Sequence, residues 1–213
     1  IRDRNISQHL SSLQNIPDPV ASTLFNYRNT LKKLTENCIN HIPNEAWQSS
    51  MVEVKRSVDI IKLFKFIDNL LILCPQSYGP WGVKKIHEFL LGKNFEKGVD
   101  RWGEGTPIMA KSNQPEIGLA NGDVGIILGN GEKRRFLFCV FSEEQRLVTR
   151  LINPSRLNIF DAAYAMTIHK AQGSEADQVI LLWPSASKVS EEHIPKKFYS
   201  DDYEKRMLYT AIT

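Results

Sequence analysis

The chain has 213 residues, 42% hydrophobic and 24% charged, which suits one or two domains with buried cores and excludes a disordered, low-complexity chain. A formal net charge of +3 and an isoelectric point near 8.7 are compatible with a nucleic-acid partner without requiring one. No apolar run approaches the roughly 20 residues of a membrane span and no signal-peptide core opens the chain, so a cytoplasmic protein with no membrane partner is expected.

Cys38, Cys74 and Cys139 are widely spaced, without a CxxC pair or a Cys/His cluster. They read as small buried apolar residues in a reducing compartment, and no metal site is expected. The chain opens on Ile1 and stops at "KRMLYTAIT", an amphipathic pattern with no Gly or Pro stop signal, so it reads as a segment of a larger protein.

The first third has helical spacing. Val20, Leu24, Tyr27, Leu31, Leu34 and Cys38 recur every three or four residues, and Pro19 suits a helix start. Pro43 interrupts the pattern, and a second helix is expected from about Asn44 to Phe66. From residue 69 the chain alternates. "NLLILCP" reads as a buried parallel strand, and "YGPWGVKKIHEFLLGK" as a turn and helix with Gly92 as its C-cap. "TPIMAK" and "DQVILLWP" read as further strands, and "DDYEKRMLYTAIT" as a helix, which together are the grammar of an α/β layer. Between them, residues 118–160 carry short β-rich runs separated by Asn121-Gly122, Asn130-Gly131 and "SEEQ". Asn-Gly between apolar runs predicts type I′ hairpins, and the segment reads as a small inserted antiparallel barrel.

The stretch "AMTIHKAQGSEADQVILLW" sets Thr167, His169, Lys170, Gln172, Gly173, Ser174 and Glu175 between two apolar pieces. A strand that ends in "TIHKAQG" presents these groups where α/β sheets bind ligands. His169 and Lys170 suit phosphate oxygens, Thr167 and Gln172 add neutral hydrogen bonds, and Glu175 suits a hydroxyl such as that of a ribose. On spacing alone, a ligand-binding strand end and a polar loop with a helix N-cap at Ser174 stand level. Lys133, Arg134 and Arg135, ahead of Phe136 and Phe138, suit either a DNA backbone or a solvated turn before a core strand, and the aromatics read as core. Trp81 and Trp102 also read as core. His87 and His193 have no partner at ligand spacing.

The wording of several segments resembles the RecD family of superfamily-one DNA helicases, the alpha subunit of exodeoxyribonuclease V. "AMTIHKAQGSEADQVIL" resembles its motif V and "LLILCPQSYGPWGVKKIHEFL" its motif IV. "RWGEGTPIMAKSNQPEIGLANGDVGIIL" and "INPSRL" resemble the approach to and return from its inserted SH3-like subdomain, and "MLYTAIT" the opening of motif VI. The motifs stand in family order from about Leu70 to Thr213, whereas the first 65 residues fit only by position and type.

The resemblance implies an α/β fold: a RecA-like parallel sheet layer (the second motor domain, 2A), an inserted SH3-like β-barrel (2B) and an N-terminal helical segment. The expected division is a helical segment over 1–68, motor domain over 69–117 and 161–213, and barrel over 118–160. It further implies that Thr167, His169 and Lys170 contact single-stranded DNA phosphates and that Gln172 links the DNA and nucleotide sides. Gly173 and Glu175 would face ATP, with Gly79 and Gly82, beside Pro80, shaping a turn near it. For those turn residues a purely structural role reads equally well. Tyr209, Thr210 and Thr213 would support the site from motif VI.

The implied cofactors are ATP and Mg²⁺, and the implied partners are single-stranded or duplex DNA and the beta and gamma subunits of exodeoxyribonuclease V. The 213 residues contain no GxxxxGK[ST] and no Walker B carboxylate pair, and the family's arginine finger would follow Thr213. Phosphoryl transfer needs those groups together, so the chain alone is expected to be inactive as an ATPase. Two other readings stay open: a non-catalytic DNA- or protein-binding module, and a RecD-like helicase that works without partner subunits.

Overall fold

The computed structural model describes residues 16–79, 81–142, 144–157, 159–183, 205, 206 and 209. Helix α1 spans Asp18–Ile39, with a proline in its first turn, and buries Leu24, Tyr27, Leu31 and Cys38 at the expected spacing. Helix α2 spans Val58–Asn69, with the Ser57 hydroxyl accepting from the Ile60 N–H at its start. The single helix expected from Asn44 to Phe66 is therefore not what forms. A short 3₁₀ turn at Asn44–Gln48 leads instead into strand β1, Met51–Val54. The strand wins because it has a ladder to join: β1 pairs antiparallel with a strand a hundred residues away, Met51 opposite Ile152 and Val54 opposite Thr149. That tertiary pairing overrides a weak local helical pattern.

Two sheets follow. The parallel one contains β2 (Leu70–Cys74) at its centre, flanked by β8 (Met166–Thr167) and β9 (Gln178–Leu181). Both pairings are parallel, as expected for a RecA-like layer. Helix α3, Val83–Leu91, returns across it and ends at Gly92, whose φ of +58° and N–H bond to the Glu88 carbonyl close the helix.

The second sheet is antiparallel, in the order β1-β6-β5-β4-β3-β7, with β3 Pro107–Ala110, β4 Val124–Leu128, β5 Arg135–Phe141, β6 Leu147–Ile152 and β7 Phe160–Ala162. It draws in more of the chain than residues 118–160. Strand β1 comes from the helical first third, and β3, expected in the parallel layer, pairs antiparallel with both β4 and β7. In the described ladder β1 and β7 are its two edges.

The Asn-Gly turns are present but are not type I′, which requires positive φ at both central residues. At 120–123 only Gly122 has positive φ, and the Asp123 N–H bonds the Ala120 carbonyl. Asn130 is extended, with a 3₁₀ turn over Gly131–Lys133 after it.

Both faces of the antiparallel sheet are buried. Ile126, Leu128, Leu137 and Leu151 share a core with Leu24 and Leu31 of α1 and with Ile86 and Leu90 of α3. Their neighbours Ile127, Phe136, Phe138 and Ile152 point the other way, into a core with Trp102 and Ile108. The period of two in a strand sends alternate residues to opposite cores. Phe136, Phe138, Trp81 and Trp102 are all buried, as read from the sequence.

Of the basic run, Lys133 is exposed, Arg134 half-buried and Arg135 buried, and both arginines are bonded to backbone carbonyls. Arg134 donates to the Asp100 and Val99 carbonyls, and buried Arg135 donates to the Glu132, Arg134 and Trp47 carbonyls. They clamp the β4–β5 connection to two distant turns.

All three cysteines are free thiols. Burial pushes Cys38 and Cys74 up to about 12, so neither is a thiolate at neutral pH. No helix among the described residues is long and apolar enough to cross a membrane.

Candidate nucleic-acid interface

The register of the parallel sheet fixes where the polar stretch emerges. Leu73 lies opposite Met166 and Cys74 opposite Thr167, so β2 and β8 end side by side, and the turns after them share the carboxyl edge of the layer. The Ile168 N–H then bonds the Cys74 carbonyl at 3.0 Å. Beyond Thr167 the chain folds into tight turns, with the Lys170 and Ala171 N–H groups donating to the Thr167 carbonyl at 2.9 and 3.1 Å.

Two apolar residues anchor these turns. Ile168 and Ala171 are buried against Leu73 in a small cluster of their own. With these two turned inward, His169, Lys170, Gln172, Gly173, Ser174 and Glu175 are all exposed. Thr167 is the exception: it is buried, and its Oγ1 accepts from the Lys170 N–H at 3.3 Å. That hydroxyl shapes the turn and keeps its hydrogen to donate elsewhere. Gly173 has φ of +83°. No helix starts at Ser174, so an N-cap role for it does not hold; its N–H closes a turn onto the Ala171 carbonyl.

Two cavities border this turn. One of about 360 Å³ is lined by Ser77, Tyr78, Lys84, Thr167 and Lys170, with Lys111 and Asp161 of the antiparallel sheet across from them. The other, about 470 Å³, is lined by Lys170, Ser174 and Glu175 together with Asp68, Asn121 and Tyr164. Lys170 belongs to both, Thr167 to the first and Glu175 to the second. His169, Gln172, Gly173, Gly79 and Gly82 line neither.

The turn after β2 explains its glycines without a ligand. The Gly82 N–H bonds the Gly79 carbonyl, the Val83 N–H bonds the Gln76 carbonyl and the Lys84 N–H bonds the Ser77 carbonyl, at 3.0–3.1 Å. A Cβ on Gly82 would stand 2.5 Å from the Tyr78 carbonyl, and Gly79 has φ of +96°. Both are requirements of the turn. Pro80, Thr210, Thr213 and His193 lie outside the described residues, and Tyr209 is exposed on a helical segment.

Sequence spacing missed His87. It faces inward from α3, and its Nε2 accepts the Ala165 N–H at 3.3 Å, just before β8 begins. Its ring neighbours those of Phe95 and Tyr164, with centroids 6.5 Å away in each case. Burial lowers its pKa to about 4, so it is neutral and carries its proton on Nδ1. A helical pattern could mark His87 as inward-facing, but the partner 78 residues away left no local signal.

Among the described residues no three His, Cys, Asp or Glu side chains come together as a metal site.

Residues 162–213 match the UvrD-like helicase C-terminal domain family, which spans the whole turn and both strands that frame it. Over 85% of its length the chain is 28% identical to the RecBCD enzyme subunit RecD of Buchnera aphidicola from Acyrthosiphon pisum. It is 32% identical to that of Mycolicibacterium smegmatis over 56%, and 27% identical to that of Haemophilus influenzae over 83%. The chain thus resembles RecD subunits over most of its length and carries a helicase C-terminal match at its end.

It spans about a quarter of the length of these curated relatives: 28%, 21% and 27%. A solved Pif1 helicase from Bacteroides with ADP-AlF3 and ssDNA aligns with 94% of this RecD-like chain and 48% of its own, at 16% identity and a TM-score of 0.38. That score is too low to define a shared fold.

Proposed function

We propose that this chain is the second motor domain of an ATP-dependent DNA helicase, in the manner of the exodeoxyribonuclease V alpha subunit, acting in double-strand-break repair and recombination in a bacterial cytoplasm. In this reading the three-stranded parallel sheet is the RecA-like layer and the antiparallel sheet its inserted SH3-like subdomain. Single-stranded DNA lies against Lys170 and His169, with Thr167 shaping the turn beneath them. ATP, bound between this domain and a first motor domain outside the 213 residues, is approached from the Gly173–Glu175 side. Mg²⁺, the P-loop lysine and the arginine finger belong to parts of the protein beyond this sequence, as do the contacts with beta and gamma subunits.

One observation carries the reading: a single turn, anchored by Ile168 and Ala171, borders two cavities, with Thr167 on one, Glu175 on the other and Lys170 on both. A rigid element with a ligand on each side is what coupling requires. ATP-driven closure of the two motor domains would shift this turn and the DNA phosphates held on it together.

The test uses the full-length protein. Glu175→Gln should reduce DNA-stimulated ATP hydrolysis and unwinding while leaving single-stranded DNA affinity within about twofold. Equal loss of affinity and turnover, or no loss of either, rejects the two-sided assignment. The isolated 213-residue chain should show no ATP turnover with or without DNA, and measurable turnover would place catalytic groups within it.

A further inference from the structure

The 360 Å³ cavity has walls from two different sheets, and only one wall belongs to the motif V turn. On the near side stand Lys170 and Lys84. On the far side stand Lys111, directly after β3, and Asp161 of the adjacent strand β7. Register brings the latter two together: Met109 lies opposite Asp161 and Ala110 opposite Phe160, and the Lys111 N–H bonds the Ile159 carbonyl at 3.1 Å. The Lys111 Nζ sits 3.0 Å from an Asp161 carboxylate oxygen, with both side chains about half exposed, at 42% and 51%. A pair this exposed contributes little to folding and is easily broken by a competing anion. Buried His87 lines the same cavity as Asp161 and Lys170.

The charge of the cleft is unbalanced. Three lysines face one aspartate, and His87 is neutral. Lys84 has Glu88 at 4.0 Å on its own helix and Lys111 has Asp161 at 3.0 Å on the neighbouring strand, and Lys170 lines the cleft with both. The volume falls within the range of about 300–1,000 Å³ typical of ligand clefts. Tyr78, 73% exposed on the cavity lining, adds an aromatic face beside the lysines, the combination that suits a single strand of nucleic acid.

We propose that single-stranded DNA crosses the cleft between the two sheets, with Lys111 contacting a phosphate opposite Lys170 and Asp161 holding Lys111 in place until the phosphate displaces it. The proposal rests on the DNA-side reading of the motif V turn and extends it to the antiparallel sheet, which becomes the second jaw of the grip. Asp161 then acts as an internal competitor. It lowers affinity, and it sets Lys111 in a fixed position for the incoming strand.

The experiment is single-stranded oligothymidine binding by the full-length protein across a salt titration. Lys111→Gln should weaken binding several-fold and reduce the slope of log K against log salt by about 0.7, the loss of one phosphate contact on a single strand. Lys111→Arg should restore the slope. Asp161→Asn should tighten binding, and the double variant should behave as Lys111→Gln alone. A merely structural Lys111–Asp161 pair would instead make Asp161→Asn neutral or weaker, and that result overturns the competitor role.

Lys170→Gln separates the two levels. If it lowers the slope and Lys111→Gln does not, the second jaw is rejected and the motif V assignment stands. If neither lowers it, both are rejected.

Discussion

The two sheets of this molecule are built to different standards of burial. In the antiparallel sheet, alternate residues feed two separate cores, so Leu137 packs towards α1 while its neighbours Phe136 and Phe138 are fully buried on the opposite side. The parallel sheet has strands of five, two and four residues, and Gln178 and Val179 of β9 are exposed. Among the described residues, one of its faces holds Leu73, Ile168 and Ala171 as its buried cluster, with Leu71, Met166, Leu181 and Trp183 partly buried against it. Apolar area removed from water is the main source of stability, so the antiparallel sheet is the structural anchor. The thin edge of the parallel layer leaves backbone turns and polar side chains facing outward, which is where binding and movement belong.

The sharpest way to break that contrast is to open the antiparallel core. Phe138→Ala should destabilise the protein by about 3–5 kcal/mol in urea unfolding, because a fully buried ring leaves a cavity between strands that cannot collapse. A loss below about 1 kcal/mol would show that the sheet is not the anchor.

Acid should act next, at the junction of the two sheets. His87 has its pKa lowered from 6.5 to about 4 in the folded state, so the unfolded chain takes up the proton first as pH falls. Stability should therefore be full above about pH 6.5 and decline down to about pH 4, by roughly 3 kcal/mol from this group. His87→Gln should flatten that part of the pH–stability curve relative to the unmodified protein, and an unchanged decline would assign the acid sensitivity elsewhere.

Gly82→Ala should cost about 1–3 kcal/mol by pressing a methyl against the Tyr78 carbonyl, which is 2.5 Å from the Cβ position. Thermal unfolding measures it, and a neutral result would mean the turn after β2 yields easily. The smallest effect on folding belongs to the exposed turn. Lys170→Gln should change stability by no more than about 0.5 kcal/mol while lowering the salt slope of DNA binding by about 0.7. A large stability loss there would make Lys170 a structural residue and erase the contrast.

What was legible in the sequence follows from the range of the forces involved. Helix α1, strand β2, helix α3 with its Gly92 cap and strand β9 are written in local periodicity, and they stand where that periodicity puts them. The outward polar stretch was legible too, though the reason it stays ordered was not. Ile168 and Ala171 look unremarkable in the string, and only their packing on Leu73 shows that they turn the other side chains outward. Met51–Val54 was misread as helix because four residues carry little signal against a neighbouring helical pattern, and the deciding hydrogen bonds come from β6. The anchoring of Arg134 and Arg135 was not legible for the same reason, since their partners include carbonyls of residues 47, 99 and 100.

By itself, then, the sequence determined the alternation of elements, the apolar cores and the motif order that marks a RecD-like chain, because each of these is local or is carried by short strings. Only the tertiary structure decided that the first third supplies an edge strand to the antiparallel sheet. It alone set a neutral histidine beneath the motif V strand, and it alone brought Lys111 and Asp161 across a cleft from Lys170. Those contacts join residues far apart in the chain. Their energies depend on distance and burial in the folded state, and neither quantity exists until the chain has folded.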